Sequence, residues 1–354
     1  MSLDLPTHRP RPSGVANTND DAQASKLYVK IPWSIWCGCR SCVRDYANLP
    51  SQCRSCVQLG YFQDEFVHHF VKAPVRRAPL INRGYYARQA SLRQLVTRFL
   101  ACLHPGPVQV VSLGAGFDTL YWQLVQEGAP ISRYIELDMP QVCMEKAGVV
   151  ARTPALLRLV GGSPADAPGH DPAAGRWLGG AYRLAPADLR SVGQVVSALG
   201  LAGLDPGAPT LVLAECVLVY LEREESDALL RQLSAMLSTA AMLVYEQVRP
   251  DDAFGKQMLL NLSLRGCPLL GICWDVDEQA ARLRQAGRER AEAAPMDAMY
   301  RGLEPRDRRR IETLEIFDEF EEWDLIQAHY CIAMGVQDKA GRLQEFGLPR
   351  PGKT

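Results

Sequence analysis

The sequence predicts an α/β fold with a mostly parallel sheet and a nucleotide-type cofactor at one sheet edge. An apolar run, Val110-Val-Ser-Leu113, ends in Gly114-Ala-Gly116 and is followed by residues 119–127, which can form a helix. A strand that enters a tight glycine turn leaves backbone N–H groups free to approach a ligand. A second short strand, residues 133–138, ends in Asp138, where an acid can accept ribose hydroxyls.

The residues after the glycine turn indicate which cofactor is bound. A dinucleotide site has a third glycine, but Thr119 occupies that position here, and Asp118 lies two residues after Gly116. A carboxylate at the turn would repel a pyrophosphate, whereas S-adenosylmethionine carries an amino acid and a sulfonium cation. The segment favours this methyl donor. A dinucleotide site and an ordinary strand–turn–helix remain alternative interpretations.

The remaining elements alternate between strands and helices, as in a parallel sheet covered on both faces. An apolar stripe predicts a helix over residues 90–103, and an acidic helix is expected over residues 315–327. A Pro- and Gly-rich connection containing residues 161–169 is expected at the surface. The further predicted strands are residues 181–185, 209–214, 241–245 and a last strand, 329–336.

Composition is that of a globular enzyme. The 354 residues are 47% hydrophobic and 22% charged, with a net charge of −1, so no electrostatic attraction to nucleic acid is expected. No apolar run is long enough to span a bilayer, and residues 1–21 lack the apolar core of a signal peptide. The 11 cysteines are therefore expected to be reduced, in a cytoplasmic protein.

Acids follow three predicted strands. Asp138, Asp188 and Glu215 each end an apolar run, and ligands of open α/β sheets bind at the carboxyl ends of strands. We expect Asp138 to bind the ribose diol, Asp188 the exocyclic amine of adenine, and Glu215 the ammonium or nearby cationic centre of the ligand. Leu189 would supply an apolar contact or a backbone amide to the purine. The alternative for each acid is a helix N-cap.

The chain resembles the leucine carboxyl methyltransferases over nearly its whole length from Lys26. The motifs that carry the resemblance are Asn82-Arg-Gly-Tyr-Tyr-Ala-Arg88, Ser112-Leu-Gly-Ala-Gly-Phe-Asp-Thr119, Leu213-Ala-Glu-Cys-Val-Leu-Val-Tyr220, Tyr245-Glu-Gln-Val248, Asp252-Ala-Phe-Gly255 and Ile311-Glu-Thr-Leu-Glu-Ile-Phe-Asp-Glu319. The resemblance implies a class I S-adenosylmethionine-dependent methyltransferase fold, Rossmann-like, with a seven-stranded sheet, an antiparallel last strand and a helical lid. It also implies methyl esterification of the C-terminal leucine carboxylate of the protein phosphatase 2A catalytic subunit.

The same resemblance implies the binding residues. Arg88 and Lys26 match the family residues that bind the donor's carboxylate, and a guanidinium suits a carboxylate because it can bind bidentately. The other matching contacts to the donor are Gly114, Asp138, Asp188, Leu189 and Glu215. Tyr220 is assigned to the passage where donor and acceptor meet. As structural alternatives, Arg88 would be a surface helix residue and Tyr220 a half-buried aromatic.

The reaction implied for this family needs little acid–base chemistry. A terminal carboxylate has a reference pKa near 3.5, so it is ionised at neutral pH and no general base has to deprotonate it. The rate would come from alignment of the reacting atoms and from exclusion of water. We expect a monomeric methyltransferase domain at residues 26–340, between a disordered tail at 1–25 and a C-terminal tail at 341–354, without membrane or nucleic-acid partners.

A cysteine-rich insertion at about residues 30–56 departs from the family pattern. Cys37 precedes two CxxC pairs, Cys39 with Cys42 and Cys53 with Cys56. Paired CxxC motifs are typical of zinc sites, but this spacer is short and the family requires no metal. We favour an inserted loop without metal, with a zinc knuckle as the alternative. The insertion also separates Lys26 from the lid helix that it should join.

Competing functions remain open. The second candidate function is that of a carboxyl methyltransferase of the tRNA wybutosine pathway. It ranks below the first because such relatives carry a C-terminal repeat domain that is not seen here. Small-molecule O-methylation is third. A nicotinamide dehydrogenase is disfavoured by Asp118 and Thr119. A degenerate methyltransferase that serves as a scaffold is disfavoured by the intact acids at the strand ends.

Overall fold

A seven-stranded sheet organises the molecule, in the strand order β3-β2-β1-β4-β5-β7-β6. The structure is a computed structural model that describes residues 49–71, 76–161 and 169–349. The strands are β1 (Val108–Leu113), β2 (Ile131–Asp138), β3 (Tyr182–Pro186), β4 (Thr210–Glu215), β5 (Thr239–Gln247), β6 (Arg290–Pro295) and β7 (Tyr330–Asp338). The first five pair in parallel and β7 is antiparallel to both β5 and β6, which confirms the expected fold class.

Helices cover both faces of this sheet. In chain order they are α1 (Leu49–Gln58), α2 (Val67–Phe70), α3 (Pro79–Leu103), α4 (Leu120–Gln126), α5 (Pro140–Arg152), α6 (Pro154–Val160), α7 (Val192–Leu201), α8 (Arg223–Met236), α9 (Ala253–Ser263), α10 (Val276–Gln285), α11 (Met296–Arg301), α12 (Pro305–Glu312) and α13 (Phe320–Ala328). Within the described residues, no helix combines the length and the apolar character that a membrane crossing needs.

Helix α3 is longer than its amphipathic stripe predicts. It begins at Pro79, whose ring suits the first helical turn, whereas the predicted helix begins at residue 90. Residues 80–87 are all buried, so this half of the helix has no exposed face and no period of 3.6 residues in its sequence. The extension carries Arg88 into the body of the helix.

Two further differences lie near the C-terminus of the chain. Strand β6 was not predicted, because Arg290-Ala-Glu-Ala-Ala-Pro295 has no β-branched residue and pairs only with β7 at the sheet edge. The acidic helix α13 begins at Phe320 rather than at residue 315. Glu315 instead accepts hydrogen bonds from Tyr61 and Asn82, which keeps the intervening segment out of the helix.

Packing continues past residue 340, where the methyltransferase domain was expected to end. The side chains of Leu343 and Phe346 are completely buried, and Leu348 is 7% exposed. The ring of Phe346 packs edge-on against Phe99 of α3, with centroids 5.7 Å apart. The packed core therefore includes the chain up to Leu348.

A buried ion pair lies between β2 and α5. Lys146 Nζ is 2.6 Å from Glu136 Oε2, and neither side chain is exposed to solvent. The Tyr182 hydroxyl also donates to Glu136 Oε2, at 2.7 Å, and Lys146 donates to the main-chain oxygen of Asp118, at 2.9 Å. Burial raises the pKa of Glu136 to about 7, although Lys146 favours the ionised form. Lys146 thus links the sheet to the loop that follows β1.

Replacing Lys146 by Met should destabilise the fold by about 3–5 kcal/mol, because it leaves the Glu136 charge buried without its cation. Urea unfolding followed by circular dichroism measures this difference. The double variant Lys146→Met/Glu136→Leu should recover part of the loss, since both charges are then removed. A Lys146→Met protein as stable as the parent would show that the ion pair contributes nothing to folding.

Candidate functional site

A cavity of about 180 Å³ opens at the carboxyl ends of β1 and β4. Strand β1 pairs with β2 on one side and with β4 on the other, so the strand order changes direction at this point. Ligands of open α/β sheets bind at such a switch point. Most of the lining comes from the end of β1 with residues 114–120, the end of β4 with Tyr220, and one face of α3, and Phe62, Asp64 and Val67 complete it with Gln123.

The glycine turn after β1 forms the floor of the cavity. Gly114 and Gly116 have φ angles of +60° and +52°, a region that residues with a Cβ rarely adopt. A Cβ on Gly114 would lie 2.7 Å from Val217 Cγ2, whereas one on Gly116 would meet nothing within 4 Å. The Gly114 amide donates to Leu137 O at 2.8 Å, which ties the turn to β2.

An ion pair between α3 and β4 spans the cavity. Arg88 donates from Nε and Nη2 to Glu215 Oε2, at 2.9 Å in each case. The guanidinium also lies 4.8 Å from the ring centre of Tyr245, in a cation–π contact. Although burial disfavours its charge, the Glu215 carboxylate holds the pKa of Arg88 well above its usual value. The site thus presents a fixed cation beside a carboxylate, which complements the zwitterionic end of an amino acid.

Two more carboxylates line the cavity. Asp64 accepts hydrogen bonds from the Thr119 hydroxyl at 2.6 Å and from the amides of Phe66 and Val67. Burial raises the pKa of Asp64, and these hydrogen bonds oppose the rise. Asp118 accepts from the amides of Thr119 and Leu120, at the start of α4. With Glu215, these acids give the wall of the cavity a negative character that favours a cationic ligand.

Asp138 lies directly behind the glycine turn. Its Oδ2 accepts from the Gly116 amide and its Oδ1 from the Met139 amide, both at 2.7 Å. The side chain is 1% exposed, and it contacts the cavity through Gly116 rather than lining it. Burial raises the pKa of Asp138 to about 6, although the two N–H donors favour the charged form.

Asp188 and Leu189 lie past the end of β3 and do not line the cavity. The Ala187 amide donates to Asp138 O at 2.8 Å, so this segment runs beside the end of β2. Asp188 accepts two hydrogen bonds from Nε and Nη2 of Arg190, which lower its pKa. Leu189 is 2% exposed and packs in the core. Four of the predicted site residues therefore line one cavity: Arg88, Gly114, Glu215 and Tyr220. Asp138 lies behind the glycine turn, and Asp188 and Leu189 lie outside the lining.

Tyr220 reaches the cavity through a sharp turn after β4. Cys216 has a φ of +54°, and Leu218–Tyr220 form one turn of 3-10 helix. Buried Glu246 holds this turn by accepting from the Val219 amide at 2.9 Å. Tyr220 lines the cavity with 8% of its surface exposed, and burial raises the pKa of its phenol, which stays protonated at neutral pH.

Most of the residues predicted to matter in the N-terminal segment lie outside the described residues. Lys26, Cys37, Cys39 and Cys42 lie there, as does the side chain of Cys53. Cys56 is completely buried, and its thiol lies 3.5 Å from Asn82 O, as donor to that oxygen. Among the residues that the structure describes, no cluster of three or more His, Cys, Asp or Glu side chains could hold a metal ion.

Sequence reasoning missed two charged residues of the lining, Asp64 and Arg93. Arg93 lies five residues after Arg88, a rotation of about 140° on a helix, so helical spacing from Arg88 does not point to it. Asp64 precedes the very short helix α2, where no periodic pattern could form.

Comparisons with known proteins identify the family to which the chain is similar. Residues 51–234 match the family model of the leucine carboxyl methyltransferases. The chain is 40% identical over 347 residues to the leucine carboxyl methyltransferase 1 homolog of Arabidopsis thaliana, covering 96% of this chain and 94% of the relative. It is 42% identical over 291 residues to human tRNA wybutosine-synthesizing protein 4, covering 79% of this chain and 41% of that protein.

One of the solved structures that match this chain is magnesium protoporphyrin IX methyltransferase from Synechocystis PCC 6803 with bound SAH. The match has a TM-score of 0.41 and 14% sequence identity, and it covers 85% of this chain and 100% of that one.

The two glycines of the turn offer a matched pair of substitutions. Gly114→Ala should destabilise the fold by about 2–4 kcal/mol, because backbone strain adds to the clash with Val217. Gly116→Ala should destabilise the fold by only about 1–2 kcal/mol, because it adds backbone strain without a steric clash. Thermal unfolding of both variants measures the difference. Equal losses would show that Val217 moves freely and that the turn is not packed.

Proposed function

The chain belongs to the leucine carboxyl methyltransferase family, and we propose that it methylates the C-terminal leucine α-carboxylate of the protein phosphatase 2A catalytic subunit. The donor in this proposal is S-adenosylmethionine, which supplies an activated methyl group when bound. The observation that carries the proposal is the Arg88–Glu215 pair beside the glycine turn, inside one cavity.

Arg88 and Glu215 would hold the amino-acid end of the donor. The guanidinium binds the carboxylate and the Glu215 carboxylate binds the ammonium, so two pairs of opposite charges lie side by side. Tyr245 keeps the Arg88 guanidinium in place from the opposite face. Lys26 would share the donor carboxylate, and Gly114 permits the close approach of the backbone.

The adenosine part of the donor would extend towards the ends of β2 and β3. Asp138 is the residue for the ribose diol, because each of its oxygens accepts only one backbone N–H and keeps a free lone pair. Asp188 would accept the exocyclic amine of adenine in exchange for part of its contact with Arg190. Leu189 would contact the purine with its apolar side chain or its amide.

Methyl transfer to a carboxylate requires alignment of the reacting atoms rather than removal of a proton. The acceptor is ionised at neutral pH, so the side chains only have to hold it in line with the methyl group and keep water away. No histidine lines the cavity among the described residues. Tyr220 would border the meeting point, where its neutral phenol can donate a hydrogen bond without competing as a nucleophile.

Carboxyl methylation in the tRNA wybutosine pathway is the second candidate. The observation in its favour is the 42% identity to the human wybutosine-synthesizing protein, slightly above that to the Arabidopsis relative. Against it, the net charge of −1 gives no attraction to RNA.

Transfer of tritium from labelled S-adenosylmethionine tests the acceptor directly. The phosphatase catalytic subunit should be labelled, whereas a version without its final leucine should not be. A tRNA fraction that carries the wybutosine precursor serves as the competing acceptor. Equal labelling of the two phosphatase forms would contradict the leucine assignment, and labelling of the tRNA alone would favour the second candidate.

Donor affinity should weaken on acidification, through Asp138. An ionised carboxylate accepts ribose hydroxyls, and its pKa of about 6 leaves roughly one tenth of Asp138 ionised at pH 5 and nine tenths at pH 7. The dissociation constant for the donor, measured by calorimetry, should therefore be about tenfold larger at pH 5 than at pH 7. Asp138→Asn should bind the donor weakly at both pH values. An unchanged pH dependence in that variant would assign the titration to another group, such as Glu136.

A further inference from the structure

A second cavity of about 680 Å³ lies beside the first and opens more widely to solvent. We call it the side groove. One wall is α3, and the others are residues 60–63 and the segment from Leu303 to Arg310, which includes most of α12. Its volume falls within the range of roughly 300–1,000 Å³ typical of ligand sites. We call the first cavity, at the ends of β1 and β4, the donor cavity. Phe62, Gln89 and Arg93 line both cavities, so the side groove joins the donor cavity at these residues.

Helix α3 lines the two cavities with two adjacent stripes. Arg88, Leu92 and Val96 face the donor cavity, whereas Ala90 and Thr97 face the side groove; Gln94 and Arg98 line the side groove as well. Gln89 and Arg93 are four residues apart, one above the other on the boundary between the stripes. Both residues are therefore at the point where a segment in the side groove would enter the donor cavity.

The charges of the donor cavity require a further cation if the acceptor is an anion. Asp64, Asp118 and Glu215 line this cavity and would repel an incoming carboxylate. Among the described residues, Arg88 and Arg93 are its only lining cations. Arg88 is engaged by Glu215 and by the amino-acid end of the donor in the proposed complex. Arg93 is thus the cation left for the acceptor.

Arg93 is able to take that role. Its Nη2 pairs with Glu127, whose side chain is 58% exposed, and such solvent-exposed pairs contribute little and exchange easily. Its Nη1 is buried and has no hydrogen-bond partner within the described part of the chain. The neighbouring Gln94 has a buried side-chain oxygen that also has no partner there, which could accept a peptide N–H.

We infer that Arg93 receives the α-carboxylate of the acceptor and that the side groove holds the extended peptide segment that precedes it. This inference rests on the proposed function and adds to it the route by which a protein C-terminus reaches the methyl group. Arg93 is a positioning residue for the nucleophile, at the boundary that the two cavities share.

Steady-state methyl transfer to the phosphatase catalytic subunit tests Arg93. Arg93→Ala should lower kcat/KM for the acceptor by about 10- to 100-fold, the usual effect of removing a hydrogen bond to a charged group. The loss should fall mainly on KM, and the donor dissociation constant should stay unchanged. Arg93→Lys should recover part of the activity, because it restores the charge without the fork of donors. Arg231→Ala removes an exposed arginine on α8 and serves as the control with parental kinetics.

The side groove is tested separately by filling it. Thr97 is exposed and lines only the side groove, so Thr97→Trp should block the acceptor segment without disturbing the core. We expect the acceptor KM to rise at least tenfold with the donor dissociation constant retained. If the parental enzyme methylates the phosphatase and both Arg93→Ala and Thr97→Trp keep its acceptor KM, this inference is wrong although the proposed function stands. If the parental enzyme does not methylate the leucine terminus, the proposed function fails first.

Discussion

The parallel pairing of β1 with both β2 and β4 is the constraint on which the site depends. The register places Leu113 beside Leu137 on one side and beside Ala214 on the other. The next residue of each strand therefore emerges at the same edge, and Gly114, Asp138 and Glu215 become neighbours although they are far apart in sequence. Helix α3 immediately precedes β1 in the chain and carries Arg88 to Glu215 across this edge. A shift in register between β1 and β4 would separate the glycine turn from the ion pair.

The second constraint on the site is the arrangement of its charged side chains. Three carboxylates, Asp64, Asp118 and Glu215, and two arginines of α3 line the donor cavity. Below them, the completely buried Lys146 holds Glu136 on β2 and the main-chain oxygen of Asp118 in the glycine loop. The loop that approaches a ligand is thus fixed from behind by a charge that no solvent reaches. In the proposed reaction, a cationic donor would gain from these carboxylates, whereas an anionic acceptor would approach along α3.

Much of this arrangement could be predicted from residue patterns. The strands that end in Leu113, Asp138 and Glu215 are apolar runs that stop at a glycine or an acid, and the structure keeps them within two residues of their predicted ends. Arg88 and Tyr220 were found only through the family resemblance, because nothing in their local sequence distinguishes them from ordinary helix or core residues. The structure places both in the cavity lining.

Other features depend on tertiary contacts that leave no local signal. The first half of α3 is buried on all sides, β6 is a polar edge strand, and Glu315 is drawn out of the acidic helix by Tyr61 and Asn82. Asp188 and Leu189 follow β3 as predicted, yet neither lines the cavity: Asp188 pairs with Arg190, and Leu189 packs in the core. Residue type and strand order located the edge of the sheet, but side-chain direction there is decided by such neighbours.

The two arginines of α3 differ in a way that matches the two charges they would meet. Arg88 is held by Glu215 and Tyr245, so its position is fixed before any ligand arrives, and little reorganisation is needed to bind the donor. Arg93 is held by one exposed carboxylate and can exchange it for another. A cation that gripped the acceptor as firmly as Arg88 grips Glu215 would stabilise the nucleophile in its ground state and raise the barrier to transfer. In the proposed reaction, a loosely held arginine at the boundary of the two cavities would attract the acceptor carboxylate despite the three nearby acids, and would still leave its charge available for attack.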